Sequence, residues 1–293
     1  MNMKIIWATS FREFNLSSIN DKIQLNFLKK ALFYKKGIKI CLTQFGEKNI
    51  LSNIKNYKKN IFYFDYKKLL PEKIKYSQTI VLDNALNCLL NYEANILIWS
   101  TADIEFSINN NFLNLIEENA AYTVFPNRMQ IFPKKKESKN YTYYGLDLFI
   151  FCLNKKKIKE FIKINKSYSN FDWGCYEHFL MAATEKLGIK IVNLFTTFPI
   201  IKYANDREFN SEIRTNEIYS WKKNQERLIN FLKKNKLSRF YATGSMYFLA
   251  YKLIKNSKFN LNLLLIYLRL FLQLPVNSVI KIFYYFRLNK IFT

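Results

Sequence analysis

The sequence predicts an α/β protein: a mostly parallel sheet flanked by helices, followed by a helical C-terminal extension. Three observations lead there. Through roughly the first 210 residues, short apolar runs of strand length alternate with stretches whose apolar residues recur at helical spacing. One run, Ile96-Leu97-Ile98-Trp99, is continuously apolar, the signature of a strand buried on both faces. From about Ser211 onward, helical periodicity takes over. The expected division is an α/β domain over 1–210 and a helical region over 211–293.

Taken in order, Met3 to Thr9 is a first strand, and Ser10-Phe11-Arg12 is the loop after it. Leu25, Leu28, Ala31 and Leu32 share a helix face, and Gly37 closes that helix. Ile38 to Thr43 and Ile61 to Asp65 are the second and third strands. Leu82, Ala85, Leu86 and Leu89 mark a helix leading into the Ile96 strand. A helix over Asn109 to Asn119 comes next, then a strand from Ala121 to Phe125 that ends at Pro126-Asn127-Arg128. Pro133 to Tyr141, with Lys134-Lys135-Lys136, reads as a basic polar loop, either mobile beside a site or a solvated insertion. Gly145 to Cys152 resumes strand character, and Asn154 starts a lysine-rich helix carrying Ile158, Phe161 and Ile162. Tyr176, Phe179, Leu180, Ala183 and Leu187 form one apolar helix face that ends at Gly188. Glu177 stands roughly 100° around that helix from Tyr176. Ile189 to Leu194 is the last clear strand, and helices follow over Ile218 to Lys233 and Tyr241 to Lys255.

Composition narrows the function classes. A hydrophobic share of 49% over 293 residues supports a packed core and excludes wholesale disorder. Lys and Arg number 46 against 22 Asp and Glu, a formal net charge of +24. Such an excess points to a polyanionic partner: nucleic acid, an anionic membrane surface or phosphorylated substrates. Over-use of Lys, Asn, Ile, Phe and Tyr together also fits A/T-rich coding, which accounts for part of the charge. Cys41, Cys88, Cys152 and Cys175 are widely spaced with no CxxC pair, so they read as buried free thiols and imply neither zinc nor a disulfide framework. The first apolar run is too short for a signal peptide, so the expected location is cytoplasmic. Leu263 to Leu274 is apolar nearly all round but shorter than the about 20 residues of a membrane span, and Pro275 breaks it. Val279 to Phe292 mixes aromatics with Lys281, Arg287 and Lys290, a pattern suited to a helix lying in an anionic membrane interface, to a closing helical hairpin or to a dimer contact.

The chemistry-bearing stretch is Asn95 to Phe106, N-I-L-I-W-S-T-A-D-I-E-F. Its strand runs out into small polar residues and then Asp103 and Glu105. Ligands of open α/β sheets bind at that carboxyl edge. Acids spaced i, i+2 on an extended segment face one way and can share a divalent cation, with substrate phosphates completing its shell. Two solvated acids after a strand fit the same pattern.

With these elements placed, the chain resembles bacterial glycosyltransferases of the GT-A fold, in the nucleotide-diphospho-sugar transferase superfamily. The likeness rests on Leu97 to Glu105 as a strand ending in a DxD-type motif, and on Phe125-Pro126-Asn127-Arg128. Gly145-Leu146-Asp147-Leu148-Phe149-Ile150-Phe151 and Tyr176-Glu177-His178-Phe179-Leu180 complete it. It spans Met3 to Asn210 and leaves the rest unaddressed. The resemblance implies a nucleotide-diphospho-sugar donor, with Thr9, Ser10 and Arg12 holding base and ribose. It implies Mg²⁺ or Mn²⁺ on Asp103 and Glu105, Asp147 and Arg128 on the donor, and Glu177 as the acceptor's base with Asp172 as runner-up. Where that family places a histidine-bearing segment, this chain has Pro199 to Arg207, with Lys202 and Asn205 where histidines are expected. Lys202 can neutralise phosphate directly, which puts metal dependence in question. The only histidine, His178, is either an acceptor-side base or structural.

The leading expectation is therefore a glycosyltransferase at the cytoplasmic face of a membrane, acting on a lipid-linked or cell-surface glycan of lipopolysaccharide or capsule type. A basic nucleic-acid-binding protein is the main alternative, although no RNA or DNA module is recognisable, and an inactive scaffold of the same fold is another. A nucleotidyltransferase is disfavoured because Ala8-Thr9-Ser10-Phe11-Arg12 lacks glycine.

Overall fold

The computed structural model describes residues 4–11, 22–23, 25–26, 28–29, 37–46, 50, 59–66, 77–101, 104–105, 108, 113–114, 116–123, 128–132, 136–139, 146, 148–168, 175–193, 201–205, 211–243, 246–256 and 261–272. The first three strands are β1 (Ile5–Phe11), β2 (Ile38–Phe45) and β3 (Ile61–Tyr66). Helix α1 (Gln78–Asn91) leads to β4 (Ile96–Ser100). Then come β5 (Ile104–Glu105), β6 (Ala120–Thr123), β7 (Arg128–Phe132), β8 (Lys136–Lys139) and β9 (Leu148–Cys152). Helices α2 (Lys155–Lys166) and α3 (Tyr176–Lys186) precede β10 (Ile191–Asn193) and β11 (Ile201–Asn205). The chain continues in α4 (Ser211–Lys234), a 3₁₀ turn over Arg239–Thr243, α5 (Met246–Asn256) and α6 (Leu261–Leu272).

The main sheet runs in the order β10-β6-β9-β4-β1-β2-β3. β1, β2, β3 and β4 are mutually parallel, β6 and β10 are parallel to each other, and β9 runs antiparallel to both β4 and β6. The mostly parallel sheet flanked by helices is thus present. The chain lays β1, β2 and β3 outward in one direction, then returns to β1 and lays β4 on its other side. That reversal makes the β1/β4 boundary a topological switch point.

Alternate residues of the central strands enter two apolar layers, as the two-residue strand period requires. Ile6, Ala8, Cys41, Leu97, Trp99, Phe149 and Phe151 face one layer; Ile5, Trp7, Phe11, Ile40, Leu42, Ile96 and Ile98 face the other. Leu25 and Leu28, in the helical residues after β1, close the second layer. Helices α1 and α2 start on side-chain caps: Ser77 Oγ accepts from Ile80 N–H, and Asn154 Oδ1 accepts from Lys157 N–H at 2.9 Å.

The helical segment after 211 completes the first layer. Leu228, Phe231 and Leu232 of α4, Tyr241 and Ala242 of the 3₁₀ turn, and Leu249, Ala250 and Leu253 of α5 belong to the same core as Trp99 and Phe151. Tyr168 stacks on Phe179 at 4.0 Å and meets Phe231 edge-on at 5.9 Å. All four cysteines are free and buried, as expected, and Cys41 and Cys88 lie with sulfurs 3.7 Å apart. Burial, with the Cys88 hydrogen bond behind it, pushes the Cys41 thiol up, so it stays protonated.

Several expectations are corrected. Arg128 begins β7 and does not close the preceding strand, which is β6. The stretch read as a polar loop contains β8, paired antiparallel with β7. β10 is not the last strand, because Ile201–Asn205 pairs with both β5 and β7. Tyr241 lies in a 3₁₀ turn, and the helix begins only at Met246. Of the helix expected over 109–119, residues 116–119 are non-helical and most of the remainder lies outside the described residues. In the second and third corrections the local signal is weak: K-E-S-K has no apolar residue, and I-K-Y-A-N alternates over only five residues.

Because the C-terminal helices fill the core of the sheet, Phe231→Ala is expected to destabilise the whole molecule by about 3–5 kcal/mol. Urea unfolding followed by far-UV circular dichroism and by tryptophan fluorescence should show both signals moving together to lower denaturant. A C-terminal transition separate from that of the sheet would contradict a shared core.

Candidate functional site

The switch point lies at the carboxyl ends of β1 and β4. Their register, Ile5↔Ile96 through Ala8↔Trp99, brings the ends of the two strands side by side. Trp7 Nε1–H donates to Ser100 Oγ at 2.8 Å, a buried bond that pins the end of β4 to β1. Thr9 is buried at this end, and its Oγ1 has no hydrogen-bond partner. Ser10 is half-buried one residue further on. A buried hydroxyl without a partner is unusual in a folded protein.

The neighbouring strand ends are polar as well. Asn84, reaching across from α1, donates from Nδ2 to Thr43 Oγ1 at 3.1 Å and accepts at Oδ1 from Tyr66 O–H at 3.0 Å. This link ties α1 to the ends of β2 and β3. On the other flank Asn193 Nδ2 donates to the Thr123 carbonyl, and Thr123 Oγ1 donates to the Leu148 carbonyl, each at 3.2 Å. These four bonds fix strand ends on both sides of the switch point.

Out of β4 the chain passes directly into the acidic segment. Ile104 N–H donates to the Thr101 carbonyl at 3.4 Å, and Ile104 itself is buried, so β5 is anchored beside the end of β4. A second sheet, β5-β11-β7-β8, forms there. Its register places Glu105, Ile201 and Arg128 in one row across three strands. Lys202 stands in the adjacent row with Ile104 and Met129. Glu105, Arg128 and Lys202, separated widely in sequence, are therefore brought onto one small sheet next to the switch point. Among the described residues no three His, Cys, Asp or Glu side chains gather as a metal site. Asp103, Arg12, Asp147 and Asp172 lie outside the described residues.

Glu177 occupies the first turn of α3, half-buried, where the helix N-terminus favours a negative charge. The residue before the helix, Cys175, is left-handed at φ 59° and supplies no side-chain cap. Tyr176 packs against Trp99 of β4, with ring centroids 5.5 Å apart, so Glu177 starts its helix beside the strand that leads to Asp103. Trp99 Nε1 is buried with no hydrogen-bond partner. His178 is buried, which removes it from an acceptor arriving from solvent and favours the structural role. Burial, and then the charge of Glu177, raise the Cys175 thiol and exclude it as a nucleophile.

The far end of α3 is fixed independently. Gly188 sits at φ 68°, Ile189 N–H donates to the Thr184 carbonyl at 2.9 Å and Gly188 N–H to the Glu185 carbonyl at 3.0 Å. This is the Schellman arrangement, which needs a left-handed residue at that position. Glu185 then accepts from Tyr241 O–H at 2.5 Å and Lys252 Nζ at 2.8 Å, tying α3 to the 3₁₀ turn and α5. Burial acts to raise the Glu185 carboxyl, but the hydrogen bonds from Lys252 and Tyr241 outweigh it and hold the group below its ordinary value. Burial and the same carboxylate push the Tyr241 hydroxyl up.

Asn84 and Tyr66 were not singled out by the sequence, and Trp99 and Ser100 only as parts of the Leu97 to Glu105 motif. Ser100 had a signal, since it stands between the apolar run and the acids. Asn84 had none, because a polar residue within a helix ordinarily faces water.

No protein-family model and no curated protein matches this sequence. The chain is similar to solved transferase structures. One is the mannosyltransferase PcManGT from Pyrobaculum calidifontis in complex with GDP-Man and Mn²⁺, with TM-score 0.46, 8% identity and coverage of 86% of this chain and 72% of that chain. Another is S. aureus TarS 1–349 in complex with UDP, at 0.45 and 11%, covering 86% and 70%. A third is the 4-diphosphocytidyl-2C-methyl-D-erythritol synthase of Anaerococcus prevotii, at 0.39 and 13%, covering 75% and 95%. At such scores and identities these are likenesses of chain path, and they assign no activity to this chain.

The Glu185 cluster has a signed consequence. Its carboxylate is depressed in the folded state, so its contribution is full above the unfolded value near 4.5 and fades as pH falls through the lower folded one. Lys252→Met is expected to lower the melting temperature at neutral pH, and the gap from the parent protein should narrow below pH 4.5. Differential scanning calorimetry from about two pH units below that value to about two above it reads this directly. A gap that stays constant down to the acid end would contradict the charge-based attachment of α3.

Proposed function

We propose that this protein is a glycosyltransferase that moves a sugar from a nucleotide-diphosphate donor to a hydroxyl of a lipid-linked or cell-surface glycan, of lipopolysaccharide or capsule type. The observation that carries this reading is the junction at the switch point. There the polar end of β1, with the unpartnered Thr9 hydroxyl, adjoins a β4 that continues straight into the acid-bearing β5, in register with Arg128.

In this reading Thr9, Ser10 and Arg12 hold the nucleoside, and Asp147 accepts hydrogen bonds from sugar hydroxyls. Arg128 and Lys202 stand ready for the diphosphate, whose charge grows as the anomeric carbon–oxygen bond breaks. A divalent cation, Mg²⁺ or Mn²⁺, held by Asp103 and Glu105 would supply further neutralisation of that leaving group. In an inverting transfer the acceptor oxygen bonds to the anomeric carbon opposite the departing diphosphate. Glu177 takes the acceptor's proton, and Asp172 is the alternative base. The half-buried position of Glu177 at the opening of α3 supports the first choice, because Tyr176 against Trp99 fixes where that helix begins.

Two measurements test the proposal. A thermal-shift screen against UDP-, GDP-, CMP- and dTDP-sugars, with and without Mn²⁺, should give a rise in melting temperature with one nucleotide class. A rise with RNA or DNA and with no nucleotide sugar would overturn it. With the donor known, Glu177→Gln should lower kcat by about 10²–10⁴ while donor affinity is retained, and Asp103→Ala should abolish both transfer and donor hydrolysis in a folded protein. Unchanged turnover in both variants would remove the proposed site.

A further inference from the structure

The outer face of α6 is built unlike the rest of the surface. Leu261, Leu265, Leu268 and Leu272 follow the i, i+4, i+7, i+11 spacing of a single helix stripe, and they are 60%, 53%, 44% and 74% exposed. Phe271, 50% exposed, borders that stripe. The inner side of the helix is already used: Leu264 and Tyr267 are only partly exposed, Tyr267 packs on the main core, and α6 lies along α5. On the preceding elements Phe240 is 63% and Tyr251 44% exposed. Leucines rather than lysines therefore cover the solvent side of a helix in a strongly basic protein.

The charge around this face is one-sided. No Asp or Glu follows Glu226 anywhere in the sequence, while Lys233, Lys234, Lys236, Arg239 and Lys255 are exposed among the described residues of that segment. A second copy of this chain is a poor occupant, since closing leucine stripe on leucine stripe would bring two acid-free cationic segments together. An anionic lipid surface satisfies both features at once: its headgroups neutralise the cations, and its acyl boundary accepts the leucines. No helix among the described residues is long and apolar enough to cross a membrane, so the geometry suits a helix lying in the interface.

We propose that α6 is a monotopic membrane-docking helix, inserting Leu261, Leu265, Leu268 and Leu272 into an anionic bilayer. This surface stands independently of the glycosyl-transfer reading. It moves the membrane contact from the basic aromatic stretch over Val279 to Phe292, which lies outside the described residues, to the described helix before it. The assignment specifies which residues insert.

The test is co-sedimentation of the full chain with vesicles of phosphatidylcholine and phosphatidylglycerol, and with vesicles of phosphatidylcholine alone. The parent protein is expected to pellet with the anionic vesicles and to be released by high salt. Leu265→Gln/Leu268→Gln should reduce the bound fraction by more than about tenfold, as loss of two inserted leucines implies. Both positions are exposed, so the variant should keep the parent's melting temperature, which shows that it is folded. Analytical ultracentrifugation of both proteins supplies the second arm. Failure of the parent to bind anionic vesicles, or equal binding by the folded variant, overturns the proposal. A parent dimer that the substitutions convert to monomer, without vesicle binding, assigns the face to self-association and overturns it as well.

Discussion

The pairing of β1 with β4 is the constraint on which the rest of the molecule depends. Both strands are covered on both faces, so each residue in the ladder is committed to one of two apolar layers. A slip of one residue would exchange the layers: Trp7 and Ile5 would trade places with Ile6 and Ala8, and every contact on both sides would be lost. Two-sided burial therefore fixes the register more tightly than backbone bonding alone. The Trp7–Ser100 bond adds a polar check at the one end where apolar packing runs out. Because the register is fixed, so is the relative height of the strand ends. That sets the polar groups at the switch point at defined positions.

A second constraint acts on α3. Its N-terminal end carries the candidate base next to Trp99, and its C-terminal end is held by the Gly188 termination and by the Glu185–Tyr241–Lys252 cluster. The partners of that cluster come from the segment after 211. The C-terminal helices thus do more than cover the sheet: they supply the polar attachment that fixes one end of the helix whose other end packs on β4 through Tyr176 and Trp99. Placing this attachment at the opposite end separates stability from chemistry. The charge of Glu185 can be satisfied completely, while Glu177 remains half-buried and accessible.

How much of this was legible follows from which signals are local. The strand buried on both faces at the centre was readable because a continuous apolar run has no other economical explanation at that length; β4 declared itself this way. The end of α3 was readable because glycine is the residue that takes a left-handed helix stop at least cost, and Gly188 does so. What stayed hidden depends on partners. β8 and β11 are strands because β7 and β5 bond to them, and their own residues carry little preference. The antiparallel insertion of β9 between β4 and β6 is a decision of topology, invisible in a run of Leu-Phe-Ile-Phe-Cys that any buried strand would share. At the site, the acids after β4 were legible from position alone. The row that aligns Glu105 with Arg128 required the register of three strands.

The C-terminal region shows why composition misleads when it is read without faces. Its leucines, aromatics and lysines look uniformly amphipathic along the chain, yet they divide into two populations. Leu228, Phe231, Leu249 and Leu253 enter the core, and their contribution is internal stability. Leu261, Leu265, Leu268 and Leu272 have the same chemistry and remain outside. An apolar residue left in water gains nothing from burial, so a regularly spaced row of them on one helix face calls for an account of its own. Scattered exposed leucines need no such account, because much of any protein surface is apolar. It is the alignment on one helix face, within a segment from which acids are absent, that separates a surface intended for contact from ordinary exposure.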